Sequence, residues 1–255
     1  MKGPSVLATV TGYDYIEGTT VDYMHQQSGH GKDMIKLWTD SKNNKQPWLF
    51  FLSFFPLSFS FFNFYSAWVL VFLFFFFLKQ HRYFGKKVDA VDKLLLSIKV
   101  PTWVTRRPRT IAHHLSYWKA SEVRSWILYY SLPLLAGVLP QVYLDHWALL
   151  VCGFWLVLQG SISKDDLTLT RWLFQNYVHN LGLLYGAHHC TMNAHNLLHL
   201  ADTVEKVGPL WANSCFSFEA ENAMLNQEIL GTNNVVKMVG SFLFFLLCAI
   251  FFEKK

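Results

Sequence analysis

Two histidines four residues apart, His195 and His199, are the best-spaced pair in this sequence for sharing a metal ion. At i and i+4 on a helix both imidazoles face one side, so two nitrogens could reach a single zinc. Further ligands would have to come from residues such as His188, His189, Cys190 or Cys215. The competing reading is that both histidines are ordinary core or surface residues. A second group comprises Arg106, Arg107 and Arg109 with Lys119 and Arg124. These could contact DNA phosphates, because the guanidinium fork matches phosphate geometry. A basic connector of this kind can equally be a solvated loop. His113-His114, His188-His189 and the His195/His199 pair also admit a third chemistry, the histidine boxes of a membrane-bound metal oxidase. Such an enzyme needs at least two hairpins of spanning helices, and this chain offers one long apolar run and one short one.

The elements that would carry these residues read as helices. Apolar residues at Val88, Val91, Leu94, Leu95 and Ile98 mark a one-sided helix, closed by Pro101. Arg106-Arg107-Pro108-Arg109 then forms a connector. His113 to Leu132 reads as one long amphipathic helix broken before Pro133. Leu144 to Leu158 reads as a buried helix. Ser161 to Asn180 is a further helix, opened by a Ser-Lys-Asp-Asp cap that places acid near the positive helix end. Strand signals are sparse. Trp118, Trp126, Trp147, Trp155, Trp172 and Trp211 suit core packing better than base stacking, and Cys152 and Cys248 lie in apolar runs that suggest burial.

Composition divides the chain into two classes. Hydrophobic residues make up 52% and charged residues 15%, but the excess is concentrated in Leu49–Leu78, which holds no charge and thirteen Phe in thirty residues. About 20 apolar residues suffice to cross a bilayer as a helix. Lys79, Arg82, Lys86 and Lys87 outnumber Lys42 and Lys45, so an inserted segment would keep its C-terminal flank cytoplasmic. A translated intron is the rival origin, since Phe, Leu and Ser codons are pyrimidine-rich like the tracts before splice acceptors. Met238–Phe252 is a shorter apolar run: a tail anchor, a core helix or read-through. Four scattered cysteines without a CxxC pair argue for a reducing compartment. Met1 to Thr20 carries Asp14 and Glu17 and does not read as a signal peptide. The net charge of +5 is too small to decide for nucleic acid by itself.

Several blocks, in order, carry a resemblance. Lys2-Gly3-Pro4-Ser5-Val6, Gly12-Tyr13-Asp14-Tyr15 and Val21-Asp22-Tyr23-Met24-His25 come first, then Gly85-Lys86-Lys87-Val88-Asp89 and Arg106-Arg107-Pro108-Arg109. They continue with His114-Leu115, Trp118-Lys119-Ala120-Ser121-Glu122 and Tyr129-Tyr130-Ser131-Leu132-Pro133. The last are His195-Asn196-Leu197-Leu198-His199-Leu200, Gly208-Pro209-Leu210-Trp211 and Ser214-Cys215-Phe216-Ser217-Phe218-Glu219. Together they resemble CACTA/EnSpm-type transposases and their domesticated relatives. The chain departs from that pattern at Gln26–Lys32, a polar, Gly-containing stretch that suggests local decay, and at the Phe-rich block, which sits where the family runs on directly.

The resemblance implies a ribonuclease-H-like core in which two Asp and one Glu hold two divalent metals for phosphodiester chemistry. Glu219 with Asn222, after the His195/His199 pair, fits the family's Glu, with Glu221 as a nearby competitor. Both catalytic Asp of the pattern and its Cys pair have no match here; Asp14 and Asp22 match a later part. The expectation is therefore a mainly α protein: the helical insertion region plus the terminal Glu-bearing helix of a transposase core, with one transmembrane helix. Its parts are 1–48, a transposase-like fragment; 49–78, the membrane segment; 85–235, a helical domain; and 238–252, an apolar tail. The expected function is that of a degenerate, non-catalytic, transposon-derived protein with vestigial Glu219, incomplete Mg and Zn sites and no cofactor. It would associate with membranes through 49–78 if translated as written, and be nuclear or cytoplasmic without that segment. The alternatives are a soluble DNA- or protein-binding module and a single-pass membrane protein.

Overall fold

The helix that begins after Asp22 forms from a stretch whose composition argues against it. In a computed structural model, which describes residues 20–40, 87–102, 104–228 and Gly240, α1 spans Tyr23–Thr39. The Asp22 carboxylate caps it by accepting from the His25 N–H at 3.0 Å. Gly29 and Gly31 each cost a helix about 1 kcal/mol relative to alanine, so tertiary contacts must outweigh propensity. At Gly31 the reason for glycine is space: a Cβ there would lie 2.7 Å from Val123 Cγ1 and 2.8 Å from Ile127 Cδ1. The polar residues are also used. Gln26 is buried and its Nε2 donates to the Asn193 carbonyl at 3.2 Å. What the sequence suggests is decay at Gln26–Lys32 is thus a folded, buried helical face.

The remaining described elements are helical, and no strand occurs among the described residues. After α2 (Val88–Ser97) comes the short α3 (Ile111–His114), whose first N–H groups are bound by the buried Asp92 carboxylate at 2.6 and 3.1 Å. The long helix expected over His113–Leu132 is instead broken at Trp118 and Lys119, both extended. It resumes as α4 (Ala120–Ser125), passes through a π turn at Trp126–Tyr130 and continues as α5 (Ser131–Leu135). Pro133 therefore lies inside α5 rather than ending the helix. The Ser131 N–H reaches back five residues to the Trp126 carbonyl. This wider turn shifts the ladder just before the proline, where a missing N–H is otherwise costly.

An antiparallel hairpin forms the centre. α6 (Gln141–Val157) and α7 (Lys164–Tyr185) pack along their length, with Phe154 edge-on to Phe174 and Tyr143 against Tyr185. Ser163 and Asp166 start α7 with a reciprocal capping box, the cap expected from the sequence. Beyond α7 follow α8 (Met192–Asn196) and α9 (Leu200–Val207), the latter tied to α7 by Arg171 with Asp202 and Glu205. These helices lie in one compact unit, 1–212; a second, 213–255, contains α10 (Cys215–Glu228).

Helix α1 lies on this hairpin through two buried polar pairs. His30 Nε2 is 2.6 Å from the Tyr177 hydroxyl, and Trp38 Nε1 donates to the Tyr185 hydroxyl at 3.3 Å. His146 stacks on Tyr177 with ring centroids 4.3 Å apart, and its Nε2 donates to the Tyr177 carbonyl at 2.9 Å. Trp147 donates to Ser131 Oγ at 2.8 Å and meets Trp38 edge to face.

Two expectations about burial are corrected. Trp118, Trp126 and Trp147 are core residues, but Trp155, Trp172 and Trp211 are each more than half exposed. Cys152 is exposed as well. It lies three residues before Trp155 on α6, a helix apolar on nearly every face, so composition does not reveal which side is buried. No helix among the described residues is long and apolar enough to cross a membrane. Leu49–Leu78 lies outside the described residues, as does 238–252 apart from Gly240.

The buried histidines make stability pH-dependent. Burial, with the nearby His146, lowers His30 to about 3, and burial lowers His146 to about 4. Protonating His146 would put a proton on Nδ1, which is buried without a hydrogen-bond partner. Between pH 6.5 and these values the unfolded chain binds protons that the folded chain refuses. Stability is then complete above pH 6.5 and falls as the pH drops, by up to about 1.4 kcal/mol per pH unit for each histidine. Urea midpoints are expected to fall between pH 7 and pH 5, less steeply in His146→Gln; a flat profile would contradict this account.

Candidate functional site

The cations singled out in the sequence separate into those that hold the fold and those left on its surface. Arg109 belongs to the first group. Its Nε and Nη2 donate to the two Glu122 carboxylate oxygens, each at 2.7 Å, and Nη2 also reaches the Tyr117 carbonyl at 2.6 Å. Glu122 Oε2 accepts from the Lys119 N–H at 2.8 Å, closing the start of α4. The Glu122 side chain is only 5% exposed. Burial pushes its carboxyl upward, but the Arg109 and Lys119 hydrogen bonds and the charges of Arg109 and Arg106 outweigh that, so it sits below the usual range. Arg109 is thus committed to the scaffold, with its fork already filled.

Arg106, Arg107 and Lys119 are exposed. The fold adds two cations to them that the sequence reading did not include. Lys32 and Lys36 stand one turn apart on α1, and Lys32 feels the charges of Lys36, Lys119 and Arg109. Partial burial first, and then these like charges against the single attraction of Glu122, hold the Lys32 ammonium below the usual lysine range. The face therefore gathers cations from α1, the 106–109 connector and the start of α4 around one carboxylate, which Arg109 already pairs. The i,i+4 spacing of Lys32 and Lys36 was legible; that α1 would bring them beside Lys119 was not, because nothing local links positions about ninety residues apart.

The histidine pair is in place but incomplete. His195 lies in the last turn of α8 and His199 in the short 3-10 turn Leu197–His199, both exposed, with their Nε2 atoms 3.3 Å apart. Two nitrogens at about 2.0–2.1 Å from one tetrahedral zinc would be separated by a similar distance. Among the described residues, however, no third His, Cys, Asp or Glu ligand atom joins the pair. His188, His189 and Cys190 are not drawn into it, and a structural zinc, with four ligands, does not fit what is present. Glu219 is exposed on α10 with Glu221, in the second unit.

Removing the carboxylate at the centre of the basic face should weaken the fold as well as the surface. Glu122→Gln loses the negative charge and one of the two oxygens that accept three hydrogen bonds, and is expected to lower the melting temperature by about 5 °C. Adding Arg109→Met should recover part of that loss, whereas fully additive losses would show that the pair is not coupled.

No protein-family model, curated protein or solved structure matches this chain, so its function is read from its own residues.

Proposed function

We propose that the chain is a non-catalytic, transposase-derived helical module that binds nucleic-acid phosphates through the basic face around Glu122. The observation that carries this reading is the convergence of Lys32, Lys36, Arg106 and Lys119 around a carboxylate already neutralised by Arg109. Surplus positive charge on one face is the electrostatic footprint of a phosphate contact. The ancestry reading rests on the ordered motif resemblance, and its residues have structural work here: Trp118 is core, Glu122 holds the connector, and Ser131 binds Trp147. These are scaffold roles, which can outlast catalysis. Glu219 is the one residue matching a catalytic carboxylate of the family pattern, and a two-metal mechanism needs its two Asp partners as well.

Electrophoretic mobility shift with DNA tests the interface. Arg106→Ala/Arg107→Ala is expected to weaken binding about tenfold and to reduce the salt dependence by about two charges, nearly independently of sequence. An unchanged affinity and slope would remove this face from consideration. In the same preparations, Mg²⁺ or Mn²⁺ is expected to produce no strand cleavage; metal-dependent nicking abolished by Glu219→Gln would show a surviving catalyst.

A membrane reading rests on Leu49–Leu78, with Met238–Phe252 as a second candidate span. If Leu49–Leu78 is translated and inserts, the chain is a single-pass protein and stays in the pellet on carbonate extraction. Without the segment, the module is nuclear or cytoplasmic. Release of the full-length chain into the carbonate supernatant would eliminate the anchor.

A further inference from the structure

Lys36 belongs to two features at once. It contributes to the basic face, and it lines a cleft of about 440 Å³ between the C-terminal half of α1 and the turn that follows α7. That volume lies within the roughly 300–1,000 Å³ of small-ligand sites. The cleft has an apolar component from Met34 and Leu37, and two imidazoles, His188 and His189, whose centroids are 4.1 Å apart. The turn is held in shape by Gly186. Its φ of +101° ends α7, and a Cβ there would lie 2.9 Å from the His188 ring. Asp33 supplies a carboxylate at the same cleft.

We propose that this cleft receives one unpaired nucleobase of a strand whose phosphates follow the basic face, so that the module recognises single-stranded nucleic acid. The proposal rests on the phosphate-binding reading above and names its substrate more closely. The cleft and the face divide the work by charge. A phosphate meets two carboxylates in the cleft, Asp33 and Asp40, against the one cation Lys36, and finds the other cations of the basic face outside it. A base carries no charge and brings what the cleft can use: a π face for the imidazoles, an apolar edge for Met34 and Leu37, and an exocyclic amine for Asp33. Carboxylates accept from the cytosine amino group in this way, and thymine has no exocyclic amine to offer. Bases of a duplex are stacked and paired, so a duplex can use the basic face but not the cleft without unpairing.

Fluorescence anisotropy on the full chain separates these elements, with labelled oligo(dC) and oligo(dT) of about 12 nucleotides and a duplex of the same length. The single strand is expected to bind roughly tenfold more tightly than the duplex, and oligo(dC) more tightly than oligo(dT). His188→Ala/His189→Ala should remove the single-strand advantage and leave duplex binding in place. His188→Phe/His189→Phe keeps the rings and should retain the advantage, which distinguishes lost stacking from a damaged turn. Asp33→Asn should narrow the difference between oligo(dC) and oligo(dT). Equal binding of strand and duplex, still weakened by Arg106→Ala/Arg107→Ala, would overturn the cleft proposal and leave the phosphate interface standing. No binding to either form would overturn both.

Discussion

The hydroxyl of Tyr177 sets how the first helix meets the hairpin. It is buried against His30, 147 residues away in sequence, and an unpaired polar group in that position costs about 1–3 kcal/mol. The second contact, Trp38 with Tyr185, lies eight residues further along each helix. Eight residues rise about 12 Å in a helix, so the two pairs agree only if α1 and α7 run in the same direction in this register. Sliding α1 by one residue would break both. Fixing this register also fixes which α1 residues face inward and which are left outside. Gly31 meets Val123 and Ile127 on one side, while Lys32 and Lys36 are delivered to the surface beside Lys119.

The scaffold and the surface therefore use the same residue types in opposite ways. Arg109 and Glu122 saturate each other and hold the connector against the start of α4, so they add shape but little net charge. Arg106, Lys119 and the two α1 lysines keep theirs. The imidazoles divide in the same manner. His30 and His146 are core residues held neutral by burial, whereas His188 and His189 line a cleft and His195 and His199 remain exposed.

Much of the secondary structure was legible because its signals are local. The Ser163–Asp166 cap and the apolar spacing from Val88 to Leu95 lie where the sequence places them, within a few residues. The failures share a cause in tertiary structure. Gln26–Lys32 reads as local decay because it is polar and holds glycines, whereas its polar groups are satisfied by distant partners, Asn193 and Tyr177. The break at Trp118 and Lys119 follows from a buried salt bridge whose halves are thirteen residues apart. Pro133 within α5 requires a π turn that no propensity scale signals. Of the site residues, type and spacing indicated the arginines and the His195/His199 pair. Which arginine was free to act could be decided only once Glu122 was in place.

Asp40, just past the end of α1, and Lys87, before α2, are joined by 46 residues, Asn43 and Gly85 among them. Among the described residues, Val123 and Ile127, Tyr177 and Tyr185, and Asn193 supply contacts that secure α1. For a flexible connection, closure entropy grows only with the logarithm of length, about 0.6 kcal/mol for each doubling. A flexible connection between two anchored helices can thus gain or lose some thirty residues at a cost smaller than that of one lost buried hydrogen bond. The pairs that set the register of α1, His30 with Tyr177 and Trp38 with Tyr185, have both halves outside 41–86, so that register is encoded independently of the length of chain between the two helices.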